Sequence, residues 1–98
     1  MYMLPDIKKR ALHRAKILEG QIRGLQKMID SEEYCMEIIT QSLAIQKSLG
    51  SLNKLLVENH LRTHVTHMMH SHDPAQQAAA IEEMLTLFEL SNNRGTRK

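Results

Sequence analysis

The chain has 98 residues, 42% of them hydrophobic and 24% charged, with a formal net charge of +2; this composition fits one ordinary globular domain and not a disordered or membrane chain. A single cysteine excludes an intrachain disulfide framework. No apolar run approaches membrane-spanning length and no signal-peptide stretch opens the sequence, so a cytosolic setting with a reduced thiol is expected.

Pro5 stands where a first helix would begin, over about residues 5–29. Leu4, Ile7, Ala11, Ala15, Leu18, Ile22, Leu25 and Ile29 recur every three or four positions, which makes one sustained apolar seam. The same stretch carries Lys8, Lys9, Arg10, Arg14, Lys16, Arg23 and Lys27 against a single acid, Glu19. On a helical wheel Lys9, Lys16, Arg23 and Lys27 fall opposite the seam, and Arg10 and Arg14 flank it. Such a face is most often simply solvated; seven positive charges against one is a stronger bias than usual, and if the face binds double-stranded DNA its Lys and Arg neutralise phosphates, with a strongly salt-dependent affinity. No helix-turn-helix, zinc-finger or basic-zipper spacing accompanies it, so a broad helical surface is expected to do the recognition. Gly20 and Gly24 each cost about 1 kcal/mol of helix propensity, which a close helix contact or a phosphate approach would offset.

Asp30 and Ser31 can cap a second helix, and no proline intervenes before Pro74, so helical pattern runs over about residues 32–69. Its seam of Cys35, Ile38, Ile39, Ser42, Ile45, Leu49, Leu52, Leu56 and His60 approximates a heptad and calls for a partner helix. Asp73 and Pro74 read as the cap and first position of a third helix, about residues 74–91, running through Ala78, Ile81, Leu85 and Phe88. Residues 92–98, with Arg94 to Lys98 at their end, read as a short basic tail. No strand pattern occurs. The expected fold class is all-α, a single helical domain over residues 1–98. With no Trp, one Phe and two Tyr to fill a core, self-association is expected.

Cys35, His60 and His64 share one side of the second helix, at wheel angles within about 40°. They do not share a position: at about 1.5 Å per residue, Cys35 and His60 stand roughly 37 Å apart along a straight helix. Two copies packed antiparallel about a dyad near Lys47 and Ser48 would bring Cys35 of one level with His60 and His64 of the other. A kink at Gly50 would make the same site within one molecule. A thiolate and two imidazoles suit Ni(II), Co(II), Zn(II) or Cu(II) better than an oxygen-seeking cation. The plain alternative is a small buried cysteine and two solvated histidines. His67, His70 and His72 extend the histidine cluster, with no role assigned, and His13 lies apart on the first helix. An enzyme is not expected, because the one nearby base, Glu58, points elsewhere on the wheel.

The run from Arg14 to Leu25, with its Gly20-Gln21-Ile22-Arg23-Gly24 core, then Tyr34-Cys35, then Asn59 to His64, resembles the copper-sensing operon repressor family, CsoR/RcnR. The likeness covers about residues 4–90. It implies a three-helix protomer, an antiparallel four-helix-bundle dimer and a dimer of dimers, acting as a transcriptional repressor that leaves operator DNA when its inducer binds. It places inducer ligands at Cys35, His60 and His64, operator contacts among Arg14, Lys16 and Arg23 on the first helix, and coupling residues at Tyr34 and at Glu82 or Glu83. Copper(I) members carry a second cysteine where this chain has His64, which points away from copper. Nickel and cobalt members match Cys, His, His and add a histidine near the N-terminus, where this chain has Met3; the N-terminal amine, His67 or water is left for the fourth position. Formaldehyde-responsive members have proline at the second residue, here Tyr2. The expected inducer is therefore a divalent transition metal ion, nickel or cobalt first and zinc or copper next. A copper(I)- or formaldehyde-responsive repressor is the alternative, and a metal-binding helical module without specific DNA binding is the alternative of another class.

Overall fold

The computed structural model describes residues 2–96, and side chains as far as residue 91. Helix α1 spans Pro5–Asp30 and α2 spans Cys35–His60; a π-helical segment, Leu61–Val65, leads into the short α3, Thr66–Met69, and α4 spans Pro74–Thr96. No strand occurs among the described residues, as an all-α chain requires. Its contacts divide it into two units, Met1–Asn59 and His60–Lys98.

In the first unit, Pro5 opens α1 where its missing N–H is no loss, with Asp6 in the first turn and Lys27 in the last to complement the helix dipole. The helix stops in a Schellman arrangement: Glu33 N–H reaches Met28 O and Glu32 N–H reaches Ile29 O, both at 3.0 Å. Glu32 takes the left-handed conformation this requires, with φ of 51°. Asp30 and Ser31 therefore close α1 instead of capping α2, which opens only at Cys35. Tyr34 O takes the first bonds of α2, from Glu37 N–H at 2.9 Å and Ile38 N–H at 3.2 Å.

The two helices form an antiparallel hairpin, with Ile7 and Ala11 of α1 buried against Leu55 of α2 and Met3, Leu4 and Leu52 packed around them. Along α2, Ile38, Gln41, Ile45, Ser48, Leu52, Leu55 and Asn59 form the buried and half-buried stripe, at strict spacings of three and four. The expected seam mixed this stripe with a second one. Ile39, Leu49 and Leu56 lie beside it and are exposed, as are Ile22 and Ile29 at one edge of the α1 seam. An apolar arc wider than one neighbour can cover leaves its far edge bare.

In the second unit, Val65, Met68 and Ala80 make the core, with Ala79 against it. The π segment is closed where Thr66 N–H bonds Leu61 O, five residues back, and Thr66 Oγ1 donates to the same carbonyl at 2.6 Å. Backbone angles at His60, Val65 and Thr66 stay right-handed helical, so the expected helix over 32–69 becomes α2, a π turn and α3. Asp73 caps α4, its Oδ1 accepting from Ala75 N–H at 3.0 Å. This helix continues to Thr96 and not to about 91, because the low propensities of Asn92 and Asn93 are too small to end it. Of the expected basic tail, Arg97 and Lys98 lie outside the described residues.

Candidate metal centre and basic helix face

His60 ends α2 and His64 lies in the π segment. Their rings stack one turn apart, centroids 5.1 Å and planes 29° from each other. Glu83 of α4 faces both: its Oε1 lies 2.6 Å from His60 Nε2 and its Oε2 3.9 Å from His64 Nε2. A carboxylate only accepts, so His60 donates from Nε2 and keeps Nδ1 for a ligand. Carboxylates orient metal-binding imidazoles in this way, fixing the tautomer and the ring plane. The sequence left Glu82 and Glu83 equivalent, whereas in the folded unit Glu83 is the one that meets the histidines.

Cys35 is the first residue of α2 and carries a free, exposed thiol. Among the described residues no group of three or more His, Cys, Asp or Glu is gathered to hold an ion within the one chain. The helix runs unbroken through Gly50 from Cys35 to His60, so the kink that would have closed the site within one molecule is not observed. The donors fit a borderline or soft ion: two imidazoles on one face, one already oriented, and an accessible thiol. Met3 packs against the Ile7, Ala11 and Leu55 cluster, its thioether in apolar surroundings. Tyr34 is exposed, and its carbonyl starts α2. His67, His70, His72 and His13 are all exposed.

Lys9, Arg10, Arg14, Lys16, Arg23 and Lys27 are all exposed along α1. Arg10 reaches Asp6 at 3.5 Å and Arg23 reaches Glu19 at 3.9 Å; surface pairs of this kind hold a side chain only weakly and leave it available to phosphate. Nothing packed against Gly20 or Gly24 among the described residues requires a glycine there. A Cβ at Gly24 would meet nothing within 4 Å, and one at Gly20 only the tip of the Arg23 guanidinium at 4.0 Å. Between them, Gln21 Oε1 is buried with no hydrogen-bond partner among the described residues.

One residue to which the sequence assigned no role of its own is Asn59. It is fully buried, and its signal was a polar residue at the next three-four step after Leu52 and Leu55.

A family model for metal-sensitive transcriptional repressors matches residues 7–89. The chain is similar to the copper-sensing transcriptional repressor CsoR of Bacillus subtilis, 34% identical over 82 residues that cover 84% of this chain and 78% of that protein. CsoR of Mycobacterium ulcerans is 38% identical over 60 residues, 61% of this chain and 51% of that one; the chain thus spans only about half of that relative. Among solved structures, a variant of the formaldehyde-responsive regulator FrmR from Salmonella enterica serovar Typhimurium superposes with a TM-score of 0.70 at 30% identity, over 89% of this chain and 96% of that one. The copper-sensing repressor CsoR with Cu(I) from Geobacillus thermodenitrificans superposes with a TM-score of 0.73 at 27% identity, over 91% and 93%.

Proposed function

Because the chain belongs to the family of metal-sensitive transcriptional repressors, we propose that it binds operator DNA through the basic face of α1 and releases it when a transition-metal ion is held by His60, His64 and Cys35 of the partner subunit. The observation that carries this reading is the stacked His60 and His64 pair with Glu83 fixing the first ring. Such a site needs a second copy, and the bare stripe of Ile39, Leu49 and Leu56 on α2 is apolar surface that an antiparallel partner helix would cover. The working form is then a dimer, with a dimer of dimers as the larger assembly. It acts in the cytoplasm, where its DNA is.

Lys9, Arg10, Arg14, Lys16, Arg23 and Lys27 neutralise phosphates, giving a strongly salt-dependent affinity. Glu83 holds the Nε2 proton of His60, and the exposed thiol of Cys35 is open to a ligand from another chain. The ion supplies charge and a fixed coordination geometry, which bias the dimer interface between its DNA-binding and released arrangements.

The preference for nickel or cobalt drawn from His64 finds no support among the relatives named above, which are copper-sensing repressors and a formaldehyde-responsive regulator. A thiolate with two imidazoles also serves copper, so copper(I) is the first inducer of the proposal. Formaldehyde is the second, on the likeness to the formaldehyde-responsive regulator and the exposed Cys35 thiol as nucleophile.

The test is fluorescence anisotropy with a duplex from the DNA upstream of the protein's own gene, titrated with Cu(I), Ni(II), Co(II), Zn(II) and formaldehyde. Cu(I) should weaken binding by about 5- to 150-fold, the usual span of allosteric coupling. Affinity unmoved by all five would refute sensing, and absence of binding to any duplex would leave only a metal-binding helical module.

A further inference from the structure

Asn59 is 0% exposed, and both ends of its amide are bonded to backbone far away in sequence. Oδ1 accepts from Leu4 N–H at 2.9 Å, and Nδ2 donates to Tyr2 O at 2.9 Å. Those two groups belong to the short arm that leads into α1, whose cap position is Leu4. Asn59 thus stands at the end of the inner stripe of α2, beyond the cluster of Ile7, Ala11 and Leu55, and is followed in the chain by His60.

Stability alone does not account for an amide here. A leucine would continue the heptad and fill the position, whereas a buried amide must recover a desolvation cost of about 1–3 kcal/mol through its bonds. What the amide adds is direction. Hydrogen bonds weaken steeply once distance and angle leave a narrow range, so a small rotation at the end of α2 loosens both bonds together. His60 shares a peptide unit with Asn59, so a change in the backbone of His60 reaches the amide through one rigid plane.

Resting on the repressor reading above, we propose that Asn59 is a positioning residue that transmits the state of His60 to α1 by holding or releasing the arm at Tyr2 and Leu4. Metal binding and DNA binding are then coupled through a two-state contact at the start of the DNA-binding helix.

Two variants and one measurement on the unmodified protein test this. Asn59→Leu removes both bonds and keeps bulk. Leu4→Pro removes one donor at a position whose φ of −59° is already that of proline, and Leu4→Ala, which keeps the N–H, controls for the lost side chain. After circular dichroism has established helicity, each is titrated with Cu(I) alone, then assayed for DNA binding with and without Cu(I). The unmodified protein and Leu4→Ala should lose DNA affinity by about tenfold or more with Cu(I), whereas Asn59→Leu and Leu4→Pro should lose less than about threefold while binding Cu(I) almost normally. In the unmodified protein, exchange protection of the Leu4 amide should differ at least about fivefold between metal-free and Cu(I)-loaded forms. Folded variants that keep the full response, or identical Leu4 protection in both forms, would overturn the proposal. Should neither variant fold, the exchange measurement decides alone. If the unmodified protein binds DNA equally with and without inducer, it is the repressor reading that fails; if it responds and the variants respond equally, only the role of Asn59 falls.

Discussion

Replacing Glu83 by alanine removes a carboxylate that faces both histidines. The His60 Nε2 to Glu83 Oε1 separation of 2.6 Å is short for a nitrogen donor and marks a strong contact. His64 at 3.9 Å is too far for a hydrogen bond. Without Glu83, the His60 ring loses the acceptor that fixes its tautomer, and part of its population presents the wrong nitrogen to an ion. Partners of metal-bound histidines are worth about 10- to 100-fold in metal affinity, equivalent to about 1.4–2.8 kcal/mol. Both side chains are partly solvated, at 28% and 38% exposure, which favours the lower end of that range. Glu83→Gln keeps an oxygen acceptor and should lose only a few-fold. Glu82→Ala should lose nothing. The assay is competition with a chromophoric Cu(I) chelator, without DNA. Equal affinity in Glu83→Ala and the unmodified protein would refute this role for the carboxylate, as would tighter binding in Glu83→Ala, since Glu83 would then be blocking the site and not preparing it.

Arg14→Ala and Arg23→Ala should each weaken DNA binding and lower the slope of log affinity against log salt by about 0.9 per lost phosphate contact, with Cu(I) affinity unchanged; normal slopes in anisotropy would make the α1 face a merely solvated one. Cys35→Ala and the double variant His60→Ala/His64→Ala should each bind Cu(I) poorly alone yet regain one site per mixed dimer after unfolding and refolding together. No recovery, with mixed dimers present by native mass spectrometry, would refute the shared site. Glu32→Gly should raise stability by about 0.5–1 kcal/mol in urea unfolding, because glycine takes the left-handed conformation without the clash a side chain suffers; an unchanged midpoint would contradict the terminator described for α1.

The start signals of α1 and α4 were legible because they are chemical. Pro5 and the Asp73-Pro74 pair act through their own atoms, and each opens a helix where the sequence places it. The end of α1 was placed to within one residue, but how it ends and where α2 begins were not legible. Its terminator uses Glu32 in a conformation usually marked by glycine, so Asp30 and Ser31 looked like caps for the next helix. The π turn was hidden for a similar reason, since Leu61 to Val65 contains no proline or glycine and its closure depends on Thr66 bonding five residues back. Of the candidate site, the His60 and His64 pairing followed directly from their spacing. The choice between Glu82 and Glu83 did not, because neighbours in sequence lie about 100° apart on a helix and only the packing of Val65 and Met68 on Ala80 decides which one turns inward.

That π turn also bears on how a sensor of this kind changes its diet over evolutionary time. Val65 is almost completely buried while its neighbour His64 is 56% exposed in its side chain, so the wide turn separates a residue that holds the unit together from one that meets the outside. A codon change at position 64 can exchange imidazole for thiol or carboxylate without disturbing the packing of Val65 and Met68. If His64 is a ligand as proposed, new chemical tastes can therefore be tried on an unaltered scaffold, one substitution at a time.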